Sequence, residues 1–160
     1  MRRDFLHLSV ELLQRPITDE ELAALRSHAE HVRHTPAVAL ALKHHEQDIV
    51  HATVTKLYQR YPQQLERYAL TEVKTRRDMR SVLGYCLYSV VLDDPDYAKD
   101  KMLYWYRTIL NAFEFGQTFV EDAYRLLQAE VVAHLGAETS APLSAMLDEA
   151  IAVFNDPHMG

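Results

Sequence analysis

A helix with a basic beginning is predicted for the stretch KTRRDMRSVLGYCLYSVVLDD, residues 74–94. Its apolar residues recur every three or four positions, so one face of the helix should be buried. These residues are Met79, Val82, Leu83, Cys86, Leu87, Val90 and Val91. The first two turns carry one acid, Asp78, and several cations: Lys74, Arg76, Arg77 and Arg80. Cations at the positive end of a helix dipole cost roughly 0.3–1 kcal/mol each, so either an anionic ligand lies nearby or the basic surface is simply solvated.

Helices are predicted for the rest of the chain as well. Glycine is scarce, with 4 residues, and no segment alternates with the period of a strand. Thr18 and Glu21 have the spacing of a capping box and should begin a helix. Thr35 and Pro36 should interrupt that helix and start the next one. Gly136 should end a later helix. The predicted fold class is therefore all-α.

The N-terminal arm, residues 4–14, is apolar around much of its circumference. A helix of this length is unstable alone in water, so the arm must dock on its own body or on a partner. We therefore predict an oligomer, at least a homodimer, that buries the arm and the apolar face of the following helix. The predicted interface residues are Phe5, Leu8, Leu12, Leu22 and Leu25.

Composition limits the classes of function. The 160 residues are most simply one domain, and their net charge of −6 argues against a nucleic-acid partner. There is neither a signal peptide nor an apolar run near 18 residues, so we expect a cytoplasmic protein that does not insert into a membrane. The sequence contains no Ser-His-Asp set, paired carboxylate motif or glycine-rich phosphate loop. We therefore expect no enzymatic activity.

The 9 histidines do not form a convincing metal or haem site. His28, His31 and His34 fan around a helix instead of sharing a face. A haem iron would need a ligand from the middle of the chain, yet no histidine lies between His51 and His134. We therefore predict neither a metal nor a haem. The lone thiol, Cys86, lies in an apolar stripe and should be buried and inert.

Aromatic residues are concentrated in the middle of the chain. They could pack in the core, form the wall of a site for a flat conjugated ligand, or contact a partner. The group consists of Tyr85, Tyr88, Tyr104, Trp105 and Tyr106.

The Arg77-Asp78 pair, followed by Tyr88 and a break at Asp93-Asp94, resembles the phycobiliproteins, and most of all the allophycocyanin and phycocyanin subunits. The similarity extends over roughly residues 16–135, including the segment from Thr18 to Pro62. It implies a single phycobiliprotein-like domain, residues 1–160. In that domain, two N-terminal docking helices (residues 1–34) precede a globin-like helical bundle (residues 35–156).

The resemblance also implies an open-chain tetrapyrrole, or bilin, beside the basic-headed helix. Arg77 would bind a propionate as a guanidinium fork. Asp78, an acceptor-only carboxylate, would hold the pyrrole N–H groups. Arg80 and Tyr88 complete the predicted ligand-binding residues.

One departure from the family concerns the attachment of the pigment. Thr75 stands where the family has the cysteine that forms a thioether to the bilin, and a hydroxyl cannot form that bond. Cys86 cannot replace it, since eleven residues along a helix span roughly 16 Å. The usual covalent attachment is therefore excluded.

The sequence thus leads to one main functional hypothesis and one alternative. The main hypothesis is a non-enzymatic subunit without a covalent chromophore, a binding or assembly component in or near the cyanobacterial light-harvesting antenna, at the cytoplasmic face of the thylakoid membrane. It would pair with itself or with phycobiliprotein-like subunits, and a non-covalently bound bilin is compatible with it. The alternative is a globin-like regulatory or sensor domain that binds another anion or a signalling partner. An enzyme acting on bilins has no supporting residues.

Overall fold

The computed structural model describes residues 18–156, except for the side chains of residues 25, 28 and 31–34. This part of the chain contains helices and no strand, which confirms the all-α prediction. The helices form the globin-like bundle that the resemblance implies. The elements are α1 (Asp19–Arg60), a 3₁₀ turn (Pro62–Gln64), α2 (Thr71–Leu92), α3 (Asp96–Ala98), a π-helical turn (Lys99–Leu103), α4 (Tyr104–Ala112), α5 (Gln117–Leu135) and α6 (Ala137–Asn155). The predicted interface residues Phe5, Leu8 and Leu12 lie outside the described residues.

Helix α1 is 42 residues long and begins with the predicted capping box. The Glu21 amide donates to Thr18 Oγ1 at 3.3 Å, and the Thr18 amide donates to Glu21 Oε2 at 2.8 Å. The side chains described between residues 18 and 30 are exposed, except for the half-buried Glu21 and Leu22. Among the described side chains of α1, the first fully buried ones are those of Thr35 and Val38. The first part of α1 therefore projects from the bundle, while its second part packs against α5 and α2.

The predicted break at Thr35 and Pro36 is wrong, because α1 continues through Pro36 without interruption. A proline inside a helix removes one hydrogen bond and crowds the carbonyl four residues earlier, at a cost of about 3 kcal/mol. Immediately after the proline, Val38 and Leu42 are buried in the core, as are residues farther along the same face. Burial of this face offsets the local cost, so the helix stays intact.

Helix α2 begins at Thr71, three residues before the predicted start, and follows Leu70 in a left-handed conformation (φ 60°, ψ 30°). Its predicted apolar face is largely confirmed. The buried members are Met79, Val82, Leu83, Cys86 and Val90, and Leu87 packs against the core as a partly buried residue. Val91 differs, because its side chain lies near the surface. This face packs α2 against α1 and α6.

The π-helical turn determines which aromatic residues of α4 face the core. A π turn holds more residues per turn than an α-helix, so it rotates the residues that follow it relative to a regular α-helical stripe. Tyr106 and Arg107 are buried after this turn, whereas Trp105 is 65% exposed. Of the three roles open to the aromatic residues from the sequence, core packing therefore does not apply to Trp105.

The C-terminal helices pack as an antiparallel pair around Gly136. This glycine has φ +78°, a conformation that side chains with a Cβ rarely adopt, and it ends α5 as predicted. It allows α6 to begin directly at Ala137. At the other end of α6, the buried Arg107 guanidinium donates to the Asp156 carbonyl.

Candidate ligand-binding cavity

A cavity of about 280 Å³ lies between α2, α4, α5 and the loop that precedes α2. Most of its wall is apolar, and aromatic rings close one end. Its lining residues are Leu57, Tyr68, Thr71, Lys74, Thr75, Arg77, Asp78, Met79, Tyr106, Ile109, Leu110, Phe113, Phe115, Phe119, Val120, Ala123 and Tyr124.

The charged lining residues all come from the first two turns of α2. Thr71, Lys74, Thr75 and Asp78 are spaced by three and four residues, so they share one face of the helix. α4 and α5 contribute apolar groups and two tyrosines. The cavity is therefore an apolar chamber with one polar wall.

The loop before α2 is fixed to the turn after α4 across the aromatic end of the cavity. The Tyr68 hydroxyl donates to the Phe113 carbonyl at 3.1 Å, and their rings meet edge to face at 5.2 Å between centroids. Arg67 Nη1 donates to the Glu114 carbonyl at 3.1 Å. These contacts join the loop before α2 to the turn after α4, and sequence periodicity does not indicate that these two connecting segments meet.

Arg77 and Asp78 are in direct contact. Arg77 Nε donates to Asp78 Oδ1 at 2.8 Å, and Arg77 Nη2 lies 2.7 Å from the same oxygen. The Arg77 side chain is 72% exposed, whereas that of Asp78 is only 24% exposed. The hydrogen bond to Asp78 raises the pKa of Arg77 above its ordinary value. The guanidinium therefore lies at the mouth of the cavity, and the carboxylate lies farther inside.

Lys74 is a second cation in the wall of the cavity. The sequence had marked it only as part of the basic beginning of α2. It is exposed, and among the ion pairs of residues 18–156 none involves its ammonium group. Two positive charges, Lys74 and Arg77, are thus available to an anion at the mouth.

Two buried tyrosines line the cavity beside Asp78, and the sequence alone did not predict a contact between either of them and the carboxylate. The Tyr106 hydroxyl donates to Asp78 Oδ2 at 3.4 Å. Burial raises the pKa of both phenols above the ordinary value, so both stay protonated at neutral pH. The sequence signal that could have identified them is a phenol hydroxyl at a position that apolar spacing predicts to be buried, because a buried hydroxyl needs a hydrogen-bond partner.

The hydroxyl of Thr75 is fully engaged in hydrogen bonds. Its Oγ1 donates to the Thr71 carbonyl at 2.9 Å and lies 2.6 Å from the hydroxyl of the buried Tyr58. Since the Thr75 hydrogen points to the carbonyl, Tyr58 is the donor in the second bond. Thr75 therefore supplies the acceptor that a buried phenol needs.

Arg80 and Tyr88 lie outside the cavity wall and do not meet Arg77 and Asp78. Arg80 Nε is 3.9 Å from Glu46 Oε2, and the Tyr88 ring lies 6.3 Å from the Tyr97 ring. Helical geometry explains both positions, since Arg80 is rotated about 200° from Asp78 and Tyr88 lies about 15 Å farther along the axis. Among the five aromatic residues singled out from the sequence, only Tyr106 lines the cavity.

Cys86 lies away from the cavity, in the core, as predicted. Its Sγ is 3.8 Å from the Met146 carbonyl, and burial raises the pKa of the thiol to about 12. Such a thiol has almost no thiolate at neutral pH and is a poor nucleophile.

Comparison with known proteins identifies the family. None of the curated proteins searched matches the chain. Residues 18–156 include no helix that is long and apolar enough to cross a membrane. The family model described as phycobilisome protein matches residues 9–154, almost the whole chain. The chain therefore belongs to the phycobilisome protein family, whose members are subunits of the light-harvesting antenna.

Proposed function

We propose that this chain is a non-enzymatic antenna subunit that binds a bilin non-covalently in the cavity. The observation that carries the proposal is the arrangement of charge around the cavity. Two cations, Lys74 and Arg77, stand at the mouth, and one carboxylate, Asp78, stands inside an otherwise apolar chamber. Thr75, in the place of the family's attachment cysteine, leaves the pigment without a covalent bond.

The chemistry of an open-chain tetrapyrrole matches this arrangement. Its propionates are anions suited to a guanidinium and an ammonium group. Its pyrrole N–H groups are donors that need an acceptor-only partner, which Asp78 supplies. Its flat conjugated rings would lie against the aromatic side chains of Phe113, Phe115 and Phe119.

The size of the cavity limits how such a pigment would lie. A volume of about 280 Å³ lies just below the roughly 300–1,000 Å³ typical of ligand pockets. The mouth is open, so the inner rings would occupy the chamber and the outer rings would lie across the mouth. Arg77, already there, would exchange its bond to Asp78 for one to a propionate. That exchange would free Asp78 Oδ1 to accept from the pigment.

Replacing Arg77 by alanine should weaken the binding of biliverdin but not that of its dimethyl ester. A charge-assisted hydrogen bond contributes about 1.5–3 kcal/mol, which corresponds to an increase in Kd of about 10–100-fold. The ester keeps the N–H groups and lacks the carboxylates, so its affinity should not fall in Arg77→Ala, where Asp78 Oδ1 is free to accept from it. Both titrations can follow bilin absorbance and the quenching of Trp105, the single tryptophan.

Arg80→Ala is the matched control, since Arg80 lies on the same helix and outside the cavity. It should leave both affinities unchanged. If Arg77→Ala and Arg80→Ala weakened biliverdin binding equally, the cause would be the general surface charge, and the proposed contact between Arg77 and a propionate would be contradicted. Bilin absorbance that does not change at micromolar protein would reject bilin binding altogether. The basic mouth would then favour the regulatory alternative, in which it binds another anion.

We propose further that the chain pairs with a second copy or with pigmented relatives at the cytoplasmic face of the thylakoid membrane. The docking part would comprise residues 1–34, including the exposed first part of α1. The surface of α2 offers a complementary site, because residues 81–92 contain no charged side chain and Tyr88, Val91 and Leu92 are exposed there. Uncharged exposed patches of this kind are typical of protein interfaces.

Sedimentation at micromolar concentration should therefore show a dimer, and Val91→Glu should shift it toward monomer. A charge at the centre of an apolar interface loses its hydration without gaining a partner, which typically weakens association by at least about tenfold. Val132→Glu is the control, as Val132 is a similarly exposed valine on α5. A stable folded monomer of the unmodified chain would contradict this pairing.

A further inference from the structure

We propose that Tyr106 is a positioning residue for the ligand of this cavity. It holds the Asp78 carboxylate in a single orientation, so that one of its oxygens faces the N–H groups of a bound tetrapyrrole. The inference rests on the proposed function. It adds to that function a reason why the cavity would prefer a ligand that donates N–H groups.

One hydrogen bond crosses from α4 to α2 behind the cavity wall. Tyr106 on α4 donates to Asp78 Oδ2 on α2 at 3.4 Å. The Tyr106 phenol is buried, with an exposure of 7%. Because a hydroxyl has one hydrogen, this bond leaves Tyr106 with none to donate to a ligand.

The two oxygens of Asp78 have different partners, and this difference is central to the proposal. Oδ1 accepts from Arg77, an exposed and movable side chain at the mouth. Oδ2 accepts from Tyr106, which is fixed in the core. When Arg77 turns toward an anionic group of the ligand, Oδ2 stays anchored and only Oδ1 becomes free. The carboxylate then presents one free acceptor in one direction.

A single anchored acceptor in an apolar chamber discriminates between ligands. A bound molecule that places an N–H group at Oδ1 satisfies the carboxylate. An anionic molecule that draws Arg77 away and places no N–H group at Oδ1 leaves a charged acceptor unpaired, which costs more than an ordinary unmade hydrogen bond. The site should therefore select a tetrapyrrole with free pyrrole N–H groups.

The first experiment uses biliverdin, whose propionates can draw Arg77 away from Asp78 Oδ1. In Tyr106→Phe the induced circular dichroism per bound pigment should fall to roughly half, because the carboxylate loses its anchor. Tyr97→Phe, on the other side of α2, is the control and should change nothing. A purely structural role would lower the melting temperature and leave the spectrum of the bound pigment unchanged.

The second experiment needs no ligand. A double-mutant cycle of Asp78→Ala and Tyr106→Phe, measured by urea unfolding, should show at least about threefold coupling in the unfolding equilibrium constant. Additive effects would mean that the two side chains do not hold each other, and would overturn the proposal whether or not a pigment binds.

The two experiments together separate the failure of each claim. If the unmodified chain binds no bilin, the proposed function fails, and the cycle alone then supports or overturns the positioning of Asp78. If bilin binds and the cycle shows coupling, an unchanged spectrum in Tyr106→Phe overturns the inference and leaves the proposed function standing.

Discussion

Raising the pH from 9 to 12 should lower the free energy of unfolding by about 3 kcal/mol through Cys86 alone. Burial raises the pKa of this thiol in the folded protein to about 12, against an ordinary value of 9.0. Between those two values the folded protein keeps the thiol proton and the unfolded chain loses it. The slope approaches about 1.4 kcal/mol for each pH unit in the middle of the interval and is half as steep at its two ends, so the difference amounts to about 3 kcal/mol.

The sign follows from counting protons. Above pH 9 the folded state binds more protons than the unfolded state, so stability falls as the pH rises. Below the ordinary pKa of the thiol both states are protonated and the contribution is fully present. Tyr106 and Tyr124 act in the same direction at higher pH, because burial raises the pKa of each phenol above 10.0. Urea unfolding measured across this pH range would record the combined slope.

Cys86→Ala provides the control for the contribution of the thiol. The substitution leaves a small cavity and lowers stability at every pH, but it removes the group that titrates between pH 9 and 12. The free energy of unfolding of the variant should therefore change less with pH in that interval, whatever its absolute value. A curve as steep as that of the unmodified chain would show that Cys86 does not titrate differently in the two states.

The sequence predicted those features that depend on local patterns. Apolar spacing identified most of the buried face of α2 and the inert environment of Cys86. The Thr18–Glu21 capping box and the end of α5 at Gly136 follow from hydrogen-bonding and conformational preferences within a few residues. Such features are encoded by neighbours in the chain, so a pattern suffices to find them.

The features that the sequence did not predict depend on contacts between distant segments. Pro36 reads locally as a helix break, and only the burial of the residues after it keeps α1 continuous. Trp105 fits an apolar stripe until the π-helical turn rotates the register. The bond from Tyr106 to Asp78 joins residues 28 positions apart. Periodicity places a residue on a face of its helix, and it cannot tell which residue of another helix that face will meet.

The candidate site was predicted only in part, for the same reason. Arg77, Asp78 and Thr75 line one cavity because they share the first two turns of α2. Arg80 belongs to the same basic segment, yet it points elsewhere. Successive residues of an α-helix are rotated by about 100°, so residues of like charge in one short segment can face either the cavity or the surface.

Introducing a thiol at the cavity wall with Thr75→Cys should create a reactive cysteine beside an inert one. The new thiol would be half-buried next to Lys74 and Arg77, and nearby cations favour the thiolate. Cys86 is buried, and its raised pKa suppresses the thiolate. In the folded protein the reagent DTNB should therefore modify position 75 at least about 100-fold faster than Cys86. The colour released on reaction measures both rates.

The same variant tests whether Thr75 marks a vacated attachment position. In a host that produces phycocyanobilin, Thr75→Cys should retain colour after denaturation in acidic urea, because a thioether survives unfolding. The unmodified chain and Thr75→Ser should lose their colour under the same conditions. A colourless Thr75→Cys protein with a reactive thiol would mean that the cavity does not bring a bilin to this position.

The substitution should also carry a cost in stability that is independent of any pigment. Sulfur is a weak acceptor, so the buried Tyr58 hydroxyl would lose its strong partner, at a cost of about 1–3 kcal/mol. Adding Tyr58→Phe removes the unsatisfied hydroxyl and should recover most of that loss, whereas Tyr58→Phe alone should have a small effect. Equal stability of Thr75→Cys with and without Tyr58→Phe would contradict the pairing. Recovery would show that Thr75 acts as the hydrogen-bond acceptor for Tyr58.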